Sequence, residues 1–384
     1  MELSFGTRIR TSPFYERSVE AGITRASVYN HMVIPSSTAD PIADYEALTQ
    51  RVSLWDVGCE RQVQVQGPDA AALCQYLSAR DLSKQKVGRA KYAPLCDHTG
   101  RLINDPVILK LAEDRFWFSI ADSDVLLWAR AVAGERGYDV EIDEPDVSPL
   151  AIQGPRAEDV MAELLGESVR DLKLFWHAPY ELDGIPFELC RSGWSKQGGY
   201  ELFLTDGSRG PELWDRLWAA GMPYGIAVGA PNYIERIESV LLSFGADTDE
   251  TSDPFEAGIG HMVNLDVAHD FIGKNALLAK REAGAKRVMV GLLIDGPPVE
   301  PNPLPLPLSA GDLEAGTARV VVASRRFARN IGIGLVLIEY GTAGTDLDLY
   351  IPGTGDGEWR KVIVTTLPFE LEEAGALAVA GDAQ

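Results

Sequence analysis

Residues 61–79 read RQVQVQGPDAAALCQYLSA, and residues 148–166 read SPLAIQGPRAEDVMAELLG. Both start as an extended run, pass through Gln-Gly-Pro, and continue with helical spacing of apolar residues. The shared tripeptides are Gln66-Gly67-Pro68 and Gln153-Gly154-Pro155. In the first copy Val63 and Val65 alternate with glutamines, the period of a half-exposed strand. Proline suits a helix start, because the N–H it lacks would have no intrahelical partner there. A strand–turn–helix unit used twice is an internal repeat. It predicts two related α+β halves.

The flanking sequence supports that division. Asp40–Val52 places Ile42, Tyr45, Leu48 and Val52 near one helical face. Residues 91–111 (KYAPLCDHTGRLINDPVILKL) read as a hairpin turning at Asp97–Gly100. RFWFSIA (115–121) is a strand, and DSDVLLWARAVA (122–133) a helix with an acidic start. The second half continues with strands in PYELDGIPFELCR (179–191) and GYELFLT (199–205) and a helix in GPELWDRLWAAG (210–221). PNYIERIESVLLSFG (231–245) reads as a further helix. The proline-rich stretch DGPPVEPNPLPLPLSAGD (295–312) is neither helix nor central strand, and is expected as a linker or extended edge. From ARVVVASR (318–325) onward, short strands and glycine turns predict a β-rich last domain, with the tail EEAGALAVAGDAQ (372–384) frayed.

Composition narrows the function. The 384 residues are enough for two or three domains, and an apolar share of 46% suits a large core. A formal net charge of -22 opposes nucleic-acid binding, which needs basic surface. There is no apolar run of membrane-spanning length and no signal-peptide core, so a cytoplasmic protein is expected. Cys59, Cys74, Cys96 and Cys190 form no Cys-x-x-Cys, and the five histidines show no metal-ligand spacing. No metal is expected. DTDETSDPFEAG (247–258) fails as a calcium loop: Ser252 stands where glycine is needed and Gly258 where glutamate is needed.

RSGWSKQGGYELFL (191–204) invites a phosphate-loop reading. Gly193 and Gly198 have the separation, but Gly199 and Tyr200 follow where lysine and a hydroxyl residue are required. The better local reading is a hairpin with Gly198-Gly199 in its loop and Trp194 and Glu201 near its mouth. On these residues alone, Glu201 is as well an exposed strand residue and Trp194 as well a core one.

Three ordered markers, GRLINDPVILK (100–110), SGWSKQGGYEL (192–202) and ERIESVLLSFG (235–245), resemble the folate-binding aminomethyltransferase family typified by the glycine-cleavage T-protein. RIRTSPF (8–14), VYNHMVIP (28–35), DLSKQKVGRAKYAP (81–94) and SIADSD (119–124) resemble a branch of it that demethylates a sulfonium compound. The resemblance implies an α+β fold of three domains in a ring around a central folate cavity. It implies a discontinuous folate-binding domain (1–52 and 145–275), an inserted α+β domain (53–144) and a C-terminal β-barrel-like domain (276–384). Glu201 then matches a carboxylate bonded to the pterin's amino and ring N–H groups, a task for a two-oxygen acceptor. Asp105 matches the family's key aspartate, while Asn104 replaces a neighbouring aspartate. Tyr92, Ser119, Asp122, Trp194 and Arg236 are implied around the folate. Taken alone, Arg236 reads as a helix-surface charge paired to Glu235 or Glu238.

The implied chemistry moves a methyl from positive sulfur to tetrahydrofolate. A neutral thioether leaves without a general acid, so alignment is the protein's main task. Aromatic faces suit a diffuse cation, and Tyr29, Phe14 and Trp194 are the candidates. Tyr29 and Phe14 read equally as packing residues. The implied partners are a small sulfonium substrate and folate, with no nucleic acid and no membrane, in a monomer or homodimer. Three alternatives stay open: a glycine-cleavage aminomethyltransferase, a demethylase of another onium or N-methyl compound, and a non-catalytic folate-binding assembly factor.

Overall fold

The computed structural model describes residues 6–352 and 357–373, so the tail from 374 onward lies outside the described residues. The chain divides into two compact units. One comprises residues 1–232, 249–254 and 261–282, the other 233–248, 255–260 and 283–384.

The first unit contains the repeat. Strand Gln62–Gln66 leads to helix Ala70–Leu77, and strand Ser148–Gln153 to helix Ala157–Leu165. In both copies the glycine of Gln-Gly-Pro has positive φ, +138° at Gly67 and +120° at Gly154. A Cβ at Gly67 would lie 2.7 Å from the Asp139 carbonyl oxygen, and one at Gly154 2.7 Å from that of Arg51. Glycine is there because of its backbone freedom and because another segment crosses it. Both prolines sit in the turn, two residues ahead of the helix.

Each repeat belongs to its own sheet. Gln62–Gln66 lies in a five-stranded sheet, in the order Glu141–Asp143, Gln62–Gln66, Arg115–Ser119, Val107–Ala112, Arg89–Tyr92. Its alternate residues Val63, Val65, Ile108, Phe116 and Phe118 pack on Leu73, Leu77, Ala129 and Ala133 of helices Ala70–Leu77 and Val125–Arg136. Ser148–Gln153 lies in a six-stranded sheet, in the order His177–Leu182, Ile185–Cys190, Gly199–Leu204, Ser148–Gln153, Val52–Asp56, Ile226–Gly229. Its Leu54, Leu150, Ile152 and Leu202 pack on Val160 and Met161 of helix Ala157–Leu165 and on Leu213, Trp214 and Leu217 of helix Gly210–Gly221. Burying each such side chain contributes about 1.5–3 kcal/mol.

The opposite faces of the two sheets meet. Ala90, Leu109 and Trp117 of the first pack on Val147, Cys190 and Phe203 on the side of the second. The Trp117 and Phe203 rings are 6.3 Å apart.

The second unit holds a closed barrel in the order Arg287–Ile294, Arg329–Leu337, Leu313–Ser324, Leu306–Ala310, Asp346–Ile351, Glu358–Thr365. Val290, Leu292, Leu308, Val321, Val336 and Leu349 are among its interior residues. The β-rich last domain is therefore as expected.

Three sequence expectations change. Helix Pro41–Gln50 ends before Val52, which begins a sheet strand; Ile42 points outward. The helix expected over 231–245 spans only Tyr233–Glu238. Val240 turns it at φ +54°, and the Leu241 N–H closes back on the Arg236 carbonyl at 2.8 Å. The proline-rich stretch supplies strand Leu306–Ala310, which lies between two barrel strands. Pro-Leu-Pro-Leu over 305–308 has a strand's period of two, with Leu306 and Leu308 buried and both prolines exposed. Its ladder to Asp346–Ile351 uses only Leu308 and Ser309, so the missing proline N–H is tolerated. Asn302 pins the entry: it donates to the Leu304 and Arg319 carbonyls at 2.7 and 3.1 Å and accepts from the Val321 N–H at 2.7 Å.

Candidate active site

Strand register puts Glu201 on the inner face of its sheet. Directly opposed residues of an antiparallel pair share a face. Glu201 opposes Cys190 on one side and Ala151 on the other. Cys190 belongs to the contact between the sheets, so Glu201 points toward the five-stranded sheet. On that sheet Tyr92 opposes Val107, Val107 opposes Ser119, and Ser119 opposes Gln62. Ala90, Leu109 and Trp117, each two residues along, form its inner face. Tyr92 and Ser119 therefore face the same interlayer space as Glu201.

Asp105 precedes this row and is buried. The Tyr92 hydroxyl donates to its carboxylate at 2.7 Å. Gln62 Nε2 donates to Ser119 Oγ at 3.0 Å and to the Glu60 carbonyl at 2.6 Å. Asn104, fully buried, serves a different end. Its Oδ1 accepts the Ala121 N–H at 3.0 Å, and its Nδ2 donates to the Ala121 carbonyl at 2.9 Å and to Ser123 Oγ at 2.8 Å. An amide satisfies donors and acceptors together, which a carboxylate could not. Asn104 fixes the 121–123 turn.

The stretch 191–198 connects strands Ile185–Cys190 and Gly199–Leu204 and closes over Gln153, the glutamine of the second repeat. Gln153 Nε2 donates to the Ser192 carbonyl at 3.1 Å, and Ser195 Oγ donates to Gln153 Oε1 at 2.8 Å. A Cβ on Gly193 would lie 2.0 Å from Gln153 Nε2, and one on Gly199 2.2 Å from the Ile152 carbonyl oxygen. These glycines seat the loop on Gln153. The Ser192 hydroxyl donates a short hydrogen bond to Glu201. Trp194 is half-buried in the same loop.

Tyr29 is brought in by a separate hairpin, Arg25–Tyr29 with Met32–Ser37. Its two-residue turn holds Asn30 at φ +52° and His31 at φ +60°. Asn30 Nδ2 donates to the Cys59 and Ile120 carbonyls at 3.1 and 3.3 Å. Its N–H donates to the Asp122 carboxylate at 2.7 Å. Asp122, itself exposed, thus anchors the hairpin that carries Tyr29.

The electrostatics of the site are acidic. Burial raises the Glu201 carboxyl, an effect the Ser192 hydrogen bond partly offsets. Burial, then repulsion from Glu201, raises Glu60 well above the usual carboxylate range. Burial raises the Tyr29 phenol, with Glu60, Asp105, Cys59 and Asp122 adding to it. Burial and the Asp105 charge do the same to Tyr92. Glu60 was not foreseen from sequence. It carries no motif, and only folding sets it beside Glu201. A partly buried set of carboxylates and tyrosines can receive N–H donors and positive charge. Among the described residues no group of histidine, cysteine or carboxylate side chains could hold a metal.

Two candidates fall elsewhere. Phe14 is fully buried in the core on the other face of the six-stranded sheet, with Trp214, Leu217 and Val228. It is a packing residue, enclosed by apolar side chains. Arg236 is not a surface charge. In the second unit it is 1% exposed and donates to Asp247 at 2.6 Å, with the Tyr233 ring 4.6 Å from its guanidinium.

The GCVT N-terminal domain family model matches residues 17–267, and the chain belongs to that family. Among its relatives, the dimethylsulfoniopropionate demethylase of Ruegeria pomeroyi is 40% identical over 359 residues, covering 92% of this chain and 98% of that protein. An aminomethyltransferase of Desulfitobacterium hafniense is 28% identical and covers 90% of this chain and 95% of its own. The crystal structure of glycine cleavage system aminomethyltransferase T from Bartonella henselae superposes with a TM-score of 0.82 at 21% identity, over 95% of this chain and 99% of that one. The fold is therefore that of the T-protein.

Proposed function

We propose that this protein transfers a methyl group from dimethylsulfoniopropionate to tetrahydrofolate: the sulfur–methyl bond breaks, a nitrogen–methyl bond forms, and methylthiopropionate, 5-methyl-tetrahydrofolate and the proton displaced from that nitrogen are released. The observation that carries this reading is the 40% identity to a dimethylsulfoniopropionate demethylase along almost the full length of both chains. The site fits the folate: Glu201 is an inward, buried carboxylate with two acceptor oxygens, one of which accepts the Ser192 hydroxyl. That edge suits the pterin's amino and ring N–H donors. Tetrahydrofolate supplies the nucleophilic nitrogen. The chain's own residues bind and orient. Glu201 and Ser192 hold the pterin edge, Tyr92 keeps Asp105 directed at the reacting face, and Ser119 and Trp194 line the folate. Tyr29 offers an aromatic face to the cation, worth about 0.5–2 kcal/mol. Alignment is the larger contribution, with roughly 7–11 kcal/mol as its ceiling. Asp122 acts on the site through the Asn30 turn.

The same reading keeps three domains, 1–52 with 145–275, 53–144 and 276–384, and places the enzyme in the cytoplasm as a monomer or homodimer. No helix of the described residues is long and apolar enough to cross a membrane.

The test incubates purified protein with tetrahydrofolate and matched concentrations of the sulfonium and of glycine betaine, and follows the folate product by mass. We expect 5-methyl-tetrahydrofolate from the sulfonium and at most weak inhibition by the ammonium compound, because a thioether leaves more readily than an amine. Transfer from the ammonium donor alone would overturn the assignment. So would 5,10-methylene-tetrahydrofolate formed from an aminomethylated carrier.

A further inference from the structure

We propose that Gln153 is a positioning residue of the site: its side-chain amide clamps the loop 191–198 on both sides of Trp194 and holds that ring in place beside Glu201. The proposal rests on the reading above and adds to it a buried residue that acts through the loop.

The two Gln-Gly-Pro copies build the same turn and use their glutamines differently. Gln66 is exposed, whereas Gln153 is 1% exposed. In the first copy the strand, the glycine of positive φ and the helix form without a buried amide. The turn therefore does not require one in the second. A buried amide needs partners for its donors and its acceptor. Gln153 Nε2 donates to the Ile152 carbonyl at 3.2 Å, and its other contacts are with the loop. Nε2 donates to the Ser192 carbonyl, and Oε1 accepts the Ser195 hydroxyl. Gly193 and Trp194 are the two residues between those points. The amide lies directly under Gly193, where a Cβ would collide with it. The next residue of the turn holds the far end of the loop: the Gly154 N–H donates to the Gly198 carbonyl at 2.9 Å.

Ordering a loop that has no regular structure costs conformational entropy at each residue. Three hydrogen bonds from two adjacent residues offset that cost where Trp194 sits. Ser192 carries the constraint further, since Gln153 holds its carbonyl while its hydroxyl donates to Glu201. One amide thus fixes the ring and the carboxylate edge together. A transfer that relies on alignment depends on such fixing, because a small displacement of a bound partner costs rate. A glutamate at 153 would keep the size and the Ser195 bond but set an acceptor against the Ser192 carbonyl.

The experiment first measures sulfonium turnover by the wild-type enzyme. Absence of turnover would overturn the functional reading and this proposal with it. With turnover established, kcat/KM for dimethylsulfoniopropionate is measured at saturating tetrahydrofolate in a double-mutant cycle of Gln153→Glu and Trp194→Ala. Gln153→Glu alone should lower kcat/KM by about ten- to a hundredfold, the size of a buried hydrogen bond lost with its partner left unpaired. On the Trp194→Ala background the same change should lower it by less than about threefold, since residues that act through one another are not additive. Ser195→Ala, which removes one bond from the loop side, should lower kcat/KM in the same direction, and it carries the same cycle if Gln153→Glu does not fold. Gln66→Glu in the first copy should leave kcat/KM unchanged. Additive losses in the cycle would overturn the clamp and leave the functional reading standing. So would a comparable loss in Gln66→Glu. A lower thermal midpoint in Gln153→Glu with kcat/KM unchanged would also overturn it, by making Gln153 structural.

Discussion

Glu201 and Asp56 show opposite uses of a buried carboxylate. Glu201 is raised by burial and held by one serine, so its presence opposes stability, and under the proposed function it serves binding. Glu201→Ala should weaken tetrahydrofolate binding by about 1.5–3 kcal/mol, the loss of a charged hydrogen-bonding group. Its denaturation midpoint should not fall in proportion. Calorimetric titration giving wild-type affinity in the folded variant would refute the assignment. Asp56 lies away from the ligand donors. It accepts the Ser12 hydroxyl at 2.6 Å and the Gly58 N–H at 3.1 Å, and burial pushes its carboxyl up to about 6. The unfolded value is about 3.9, so the folded state holds the proton more tightly. That stabilisation is complete below about pH 4 and is lost as pH rises through about 6. Between pH 5 and pH 7 the wild type should therefore lose about 1.4 kcal/mol from this group. Asp56→Asn should lack that part of the slope in urea denaturation. Equal slopes in the two proteins would show that Asp56 does not titrate in this range.

At the scale of elements, the end of the loop 191–198 and the start of the strand after it depend on which glycine meets other atoms. Gly199 sits at φ +144°, with the Ile152 carbonyl in the path of a side chain. Gly198 sits at φ +82° with open space around it. Gly198→Ala should cost about 1–2 kcal/mol, the left-handed backbone penalty alone. Gly199→Ala should cost more than about 3 kcal/mol and displace Glu201 on the same strand. Urea midpoints together with folate affinity check this. Equal losses from the two variants would mean that the strand shifts freely to accommodate the methyl group.

For the first unit as a whole, the site exists because two sheets meet face to face. Trp117 and Phe203 set that spacing, and Glu201 lies two residues from Phe203 on the same strand. Phe203→Ala should cost about 3–5 kcal/mol, as large-to-small changes at buried aromatics do. It should also lower kcat/KM for the sulfonium, since near-attack alignment tolerates little displacement. Stability loss with kcat/KM unchanged would show that the site does not depend on the packing between the sheets.

The sequence by itself determined the units and their periods. The two Gln-Gly-Pro copies, the alternating strands and the β-rich end are local patterns, set by side-chain spacing and by the turns glycine permits. Glu201, Asp105, Tyr92 and Ser119 were named as candidates because ordered motifs carried them. Tertiary structure alone decided which residues share a space. Phe14 stands near Tyr29 in sequence yet caps the helix Tyr15–Glu20 and packs with Trp214, Leu217 and Val228 on the far face of the six-stranded sheet, because that helix and the hairpin bearing Tyr29 are separate elements. Arg236 reads as a surface charge until Asp247, eleven residues on, folds back against it. Pro305–Leu308 reads as a linker until a closed barrel lets its leucines turn inward. Glu60 has no motif at all. Its raised carboxyl arises from burial and from Glu201, a residue far along the chain, and burial and charge separation are properties of the folded molecule.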